Sequence, residues 1–261
     1  MDQLEFTLPE MQAITADILK NVVRICEDEN LPYYAIYGTL IGAIRHHGPI
    51  PWDYDVDLCV PENQIDHFVK VMERRLPSKY WINYRNYANK PQKFPRIGLK
   101  GYETDKLHVD IFRWAAIPDD DIEAKKLISK GVFWSKVWKA KITDADYYYK
   151  DKKKRLLAKI LKIISLPVSM KAVVKKMDEV SQRCSYGTTE YVGNPFFEGN
   201  QYPLSWFDGS ELVPYMDFFI RVPLGYDSIL THTYGDYMTP PDQTMTEKRI
   251  HNNIYVVRSL K

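Results

Sequence analysis

The stretch from Tyr37 to Val60 constrains the fold of this chain more tightly than any other. Gly38-Thr39 makes a small-residue turn, and a short helical pattern runs from there to about His46. One loop later Trp52 leads into Asp53, Tyr54, Asp55, Val56, Asp57 and Leu58. Strand side chains alternate between two faces, so this spacing sends Asp53, Asp55 and Asp57 one way and Tyr54, Val56 and Leu58 the other. The apolar run through Cys59 and Val60 predicts that the strand is buried. Carboxylates this close raise one another's pKa unless a cation joins them. Oxygen ligands converging on one point suit Mg²⁺, commonly held by one or two carboxylates plus substrate phosphates. Gly38 and Thr39, opening a helix, offer backbone N–H groups to a phosphate. Two acids on an exposed strand are usually just solvated, but the apolar flanks and the turn upstream favour a phosphoryl-transfer site.

A further acid strengthens this. In Leu107 to Phe112 the alternation puts His108, Asp110 and Phe112 on one face of a strand. An Asp within an apolar strand is rarely buried unless it is paired. Asp110 is therefore expected beside Asp55 and Asp57, as a shared metal ligand or as the general base for an acceptor hydroxyl. Asp53, at the strand entry, either ligates or hydrogen-bonds the loop. Arg45 carries a planar fork suited to phosphate oxygens, and Arg96 could hold a second phosphate. Trp52 stacks on a base or supports its loop, and His108 shares the face of Asp110. Asp236, in the turn Gly235-Asp236, either joins the site or caps a helix. His46 and His47 are left as structural or exposed.

The 261 residues allow one elaborated domain or a core with a small second lobe. A net charge of +2 gives no global reason to expect nucleic acid. Cys26, Cys59 and Cys184 are widely spaced and odd in number, against disulfides and zinc. The N-terminus lacks the pattern of a secretory signal and no run approaches a membrane span, so the expectation is a cytoplasmic protein.

Helices are predicted over Pro9 to Asn30 and Glu62 to Arg75, and strands over Tyr33 to Tyr37, Tyr80 to Tyr87, Arg96 to Gly101 and Leu107 to Trp114. Together with the acid-bearing strand these give a mixed sheet with flanking helices, an α/β (α+β) class. Residues 119–190 read as helical. Within them Lys150 to Lys176 carries ten Lys/Arg against one Asp. There Leu156, Leu157, Ile160, Leu161 and Ile164 form a stripe opposed by Lys154, Lys159 and Lys162. Such a helix can lie peripherally on an anionic membrane, here the inner face of the cell membrane, or pack its stripe on the protein.

The string from Gly38 to His46 and from Ile50 to Asp57 resembles the LicD family of phosphorylcholine transferases, related to fukutin and part of the nucleotidyltransferase superfamily. Phe197-Glu198-Gly199, Val222 to Asp227 and Tyr234 to Met238 resemble the same family. The family carries an acid where this chain has Tyr54. The resemblance implies a nucleotidyltransferase-like catalytic core over 1–118, a basic helical insertion over 119–190, and a C-terminal segment, 191–261, completing the site. It implies one or two Mg²⁺, with Mn²⁺ able to substitute, a CDP-choline donor, and a lipid-linked or soluble glycan acceptor such as a teichoic acid, capsule or lipopolysaccharide. CDP-glycerol or CDP-ribitol as donor, or a binding module that has lost catalysis, are the alternatives.

Overall fold

The computed structural model describes residues 3–86, 91–102, 106–148, 150–242 and 255–258. It is an α/β fold of two compact units. Unit 1 takes in residues 1–82, 94–112 and 203–261, and unit 2 residues 83–93 and 113–202.

Unit 1 opens with strand β1 (Gln3–Phe6) and helix α1 (Leu8–Asp28). The helix starts where Thr7 donates its N–H and hydroxyl to the Glu10 carboxylate, with Pro9 in the first turn needing no N–H donor. Its apolar stripe, Ile18, Val22, Ile25 and Cys26 among others, is fully buried. β2 (Tyr34–Ala35), α2 (Tyr37–Ile41) and a π-helical turn (Gly42–His46) follow. Next come β3 (Val56–Pro61), α3 (Ile65–Arg75), β4 (Tyr80–Asn83), β5 (Arg96–Leu99) and β6 (His108–Ile117). The sheet order is β2-β3-β6-β5-β4. β2 runs antiparallel to β3, and β5 to β6, with Arg96 opposite Asp110 and Gly98 opposite His108.

Two strands differ from expectation. β3 begins at Val56, so Asp53 and Asp55 sit in the loop entering the strand and only Asp57 lies within it. The loop is shaped by hydrogen bonds: the N–H of Asp53 donates to the Ile50 carbonyl at 2.9 Å, and that of Asp55 to Asp53 Oδ1 at 3.1 Å. β4 ends at Asn83; Tyr87, expected in this strand, lies outside the described residues.

Unit 2 holds the second half of β6 and the helices α4 (Asp121–Ile142), α5 (Ala145–Tyr148), α6 (Lys152–Ile164) and α7 (Met170–Ser181). Asp120, Asp151 and Ser169 cap α4, α6 and α7 with side-chain oxygens that accept backbone N–H groups. Strands β7 (Tyr191–Gly193) and β8 (Gln201–Pro203) close the unit, with Gly193 of β7 opposite Ala115. Its core is Ile117, Leu127, Trp138, Val173, Met177, Val180 and Phe196.

Unit 1 is completed by the hairpin β9 (Ser210–Tyr215) and β10 (Phe218–Pro223), by α8 (Tyr226–Tyr234), and by β11 (Tyr255–Arg258), which pairs antiparallel with β1. Among the described residues no helix is long and apolar enough to cross a membrane.

Candidate active site

The acids gather in unit 1 at the start of β3 and on the first half of β6. Thr39, in the first turn of α2, is buried, and its hydroxyl accepts the backbone N–H of Asp57 at 2.8 Å. That bond ties the helix start to the strand and fixes the height at which the Asp57 carboxylate leaves the sheet. Gly38 lies against Asp53: a Cβ there would stand 3.3 Å from Asp53 Oδ2. The chain enters α2 through Tyr37, whose φ of 51° is left-handed and unusual for a residue with a side chain. Its ring packs edge-on against Phe112.

Proton affinities within the cluster diverge. Burial, then the charges of Asp110 and Asp55, pushes the Asp57 carboxyl well above the usual carboxylate range. Asp55 is exposed. Even so, partial loss of hydration and the Asp53 carboxylate push it up to about 6. The water it keeps screens part of that effect. Asp110 goes the other way. Burial alone would raise it, but His108 and Arg96 outweigh burial and hold it at about 2. Arg96 forks onto Asp110, Nε to Oδ1 at 2.6 Å and a second nitrogen to Oδ2 at 3.3 Å. His108 Nε2 stands 3.3 Å from Oδ1. A carboxylate so stabilised is a weak proton acceptor and a well-anchored anion.

A divalent cation can be tested against this geometry. Asp55 and Asp57 fit one: oxygen donors, neighbouring, and both costly to ionise with no cation between them. Asp110 fits less well as a direct ligand, since both of its oxygens are engaged by Arg96 and His108. Among the described residues no three His, Cys, Asp or Glu side chains come close enough to enclose a metal ion alone. Substrate oxygens would have to complete the shell.

A second group of expected residues meets around Trp52, which adjoins the acid loop in sequence. Arg45, in the π-helical turn, donates to the Tyr237 carbonyl, donates from Nε to His46 Nε2 at 2.9 Å, and lies 5.9 Å from the centre of the Trp52 ring. Burial lowers the pKa of both Arg45 and His46. His46, left as structural or exposed by the sequence, thus belongs to this cluster. Asp236 neighbours the Tyr237 carbonyl, but its own carboxylate is exposed and accepts the Thr239 N–H at 3.2 Å, a turn cap.

Some contributors escaped the sequence. The Gln12 amide on α1 donates to the carbonyls of Ile50 (3.0 Å) and Asp53 (2.7 Å), clamping the acid loop. A polar residue at the edge of an apolar helix stripe was the available signal. Tyr215 is buried at the end of β9, where burial and the nearby Asp53 and Asp57 charges raise its phenol pKa. At the hairpin tip the Met216 N–H donates to the His47 carbonyl at 2.6 Å. Tyr54 turns away from the acids and meets Tyr255 edge-on, with ring centres 4.8 Å apart, in the cluster of Met11, Leu107 and Val257.

Comparison with known proteins agrees with the motifs. The lipopolysaccharide cholinephosphotransferase LicD of Haemophilus influenzae is 26% identical over 92% of this chain and 94% of its own length. The human ribitol 5-phosphate transferase FKRP is 29% identical over 40% of this chain and 20% of its own length. Residues 30–157, which carry the Gly38-Thr39 turn, the acid loop, Arg96 and Asp110, match the family described as LicD/FKTN/FKRP, nucleotidyltransferase domain. Residues 30–157 are therefore a LicD-type nucleotidyltransferase domain, and the likeness to LicD continues through most of the rest of the sequence.

Proposed function

We propose that this protein is a transferase that moves a phospho-alcohol group, phosphocholine foremost, from a CDP-linked donor to a hydroxyl of a cell-surface glycan, with lipopolysaccharide as one precedent, and with CMP as the leaving product. The observation that carries the reading is the pairing of Asp55 with Asp57 behind the Gly38-Thr39 turn, beside an Asp110 held ionised by Arg96 and His108. The likeness to the Haemophilus cholinephosphotransferase along nearly the whole chain supports phosphocholine as the group transferred.

In this reading Asp55 and Asp57 hold Mg²⁺ together with the donor's phosphates. Once bound, the cation supplies charge neutralisation for the diphosphate. The chain's own residues do the rest. Thr39 keeps Asp57 at a fixed height on β3, and Gln12 keeps the acid loop closed on itself. Arg96 and Arg45 are the cations available to phosphate oxygens. Arg96 is shared with Asp110, so its guanidinium is already oriented before a donor arrives. Trp52, held by Arg45 and His46, offers an aromatic face beside the acids.

The test is release of CMP from CDP-choline in the presence of a glycan acceptor, with and without Mg²⁺. Asp57→Asn should lower kcat by about two orders of magnitude or more, roughly 3 kcal/mol of barrier, with the far-UV circular dichroism unchanged. Undiminished turnover in Asp57→Asn, or in excess EDTA, would overturn the metal site. The likeness to FKRP favours a second reading in which the donor is CDP-ribitol. A kcat/KM for CDP-ribitol or CDP-glycerol equal to or above that for CDP-choline would replace phosphocholine and leave the site intact.

A further inference from the structure

Helix α6 in unit 2 is amphipathic, yet among the described residues its apolar side is left largely exposed. None of its residues is buried: Leu156 is 60% exposed, Ile163 65% and Ile164 68%. Leu166, just beyond its end, is 65% exposed. Leu156, Ile160 and Ile163 repeat at helical spacing, and so do Arg155, Lys159 and Lys162 in a row beside them, about 100° round the helix. The helix is nonetheless anchored. Lys159 pairs with Asp146 at 2.8 Å, and Lys141 of α4 donates to the Ser165 carbonyl at 2.7 Å. Between α4 and α6 runs an open groove of about 460 Å³, walled by Trp134, Val137, Ala140, Ala158, Leu161 and Val168, with Lys136 and Lys139 also on its wall.

We propose that this face docks on an anionic phospholipid leaflet, with α6 lying in the headgroup plane and an acyl chain occupying the α4–α6 groove. Charge decides between occupants. Residues 150–176 hold ten Lys/Arg against one Asp, so a second copy of the chain would bring like charge onto like charge. An anionic leaflet complements it and takes the apolar side as well. Apolar walls with cations beside them match a hydrocarbon tail under a negative headgroup. This inference is independent of the donor and of the chemistry at the aspartates, and it puts the enzyme where a lipid-linked acceptor is found.

Vesicles of phosphatidylcholine and phosphatidylglycerol with brominated acyl chains test both halves, with no donor or acceptor present. The protein should co-sediment with them, and binding should be at least about tenfold weaker to phosphatidylcholine alone or in high salt. Contact with the bromines should quench tryptophan fluorescence, and Trp134→Phe should remove most of the quenchable signal. Ile160→Glu/Ile163→Glu should weaken binding by about tenfold or more with circular dichroism unchanged, since neither side chain is buried. If that variant loses helix content, Lys152→Glu/Lys153→Glu/Lys154→Glu, at three exposed positions, serves instead with the same expected loss. Equal binding by the variants, or quenching unchanged in Trp134→Phe, overturns the proposal. So does self-association of the protein that the glutamates abolish while vesicles remain unbound, an outcome assigning the face to a second copy. Any of these leaves CMP release and its metal dependence untouched.

Discussion

Asp55 and Asp110 are the same residue type in one site with opposite proton affinities, and the cause lies in their neighbours. Asp110 has a guanidinium and an imidazole against it; Asp55 has carboxylates and reduced hydration. The two give stability contributions of opposite sign. Asp110 has a lower pKa folded than unfolded, so its contribution is present above the ordinary carboxylate value and is lost as pH falls toward about 2. Asp55 has a higher pKa folded, so the metal-free fold weakens as pH rises from about 3.9, the unfolded value, to about 6. Asp57, raised in the same direction, adds to that decline. Denaturant midpoints of the EDTA-treated protein across this range should therefore fall with rising pH. Asp55→Asn should shrink the fall and leave the acid limb below it unchanged; a variant that tracks the wild type through the window would remove this account. The sequence shows three acids within five residues, but not how they gather, since only Asp57 lies in β3 and Asp53 and Asp55 belong to the loop before it. The split in proton affinity was not legible either, because it depends on Arg96 lying opposite Asp110 across β5 and β6.

At the scale of elements, the helix after Gly38-Thr39 was legible but its form was not. It runs five residues as an α-helix and then widens into a π-helical turn that carries Arg45 and His46 toward Trp52. The turn closes on itself, with the Gly48 N–H donating to the Gly42 carbonyl at 3.2 Å. A Cβ at Gly42 would stand 2.4 Å from the Gly48 carbonyl oxygen, a backbone atom that can move only if the loop does. Gly42→Ala should therefore cost about 2–3 kcal/mol and should also depress activity, because the displaced loop leads into Asp53 and Asp55. Thermal unfolding and CMP release together check this; an Ala variant as stable and as active as the wild type would show that the loop has room. Strand β3 starting at Val56 has a similar origin. Loop hydrogen bonds from the Gln12 amide to the Asp53 carbonyl and from the Asp55 N–H to the Asp53 carboxylate hold the entry residues off the ladder, and strand periodicity carries no trace of a donor on a distant helix.

Across the whole molecule, the cation proposal predicts linkage. A ligand that binds only the folded chain stabilises it by about 2.7 kcal/mol at one hundred times its Kd. Saturating Mg²⁺ should raise the Tm of the wild type, raise it further with CMP present, and leave Asp57→Asn unmoved. A variant that gains as much as the wild type would place the cation elsewhere. The gain should also diminish below about pH 6, where Asp55 takes up its proton.

By itself the sequence determined the α/β class, the LicD-type motifs, the run of acids and the amphipathic helix, because each of these is written in local spacing and residue type. Tertiary structure decided what the spacing could not: that Arg96 and His108 hold Asp110 ionised, that Gln12 clamps the acid loop, and that Arg45 reaches the Tyr237 carbonyl. It also decided that the α6 stripe stays exposed where a stripe of that pattern could equally have packed. The reason is physical. Periodicity reports which face of an element is apolar, whereas a residue's partners depend on long-range packing and register, and those same partners set its charge and its exposure.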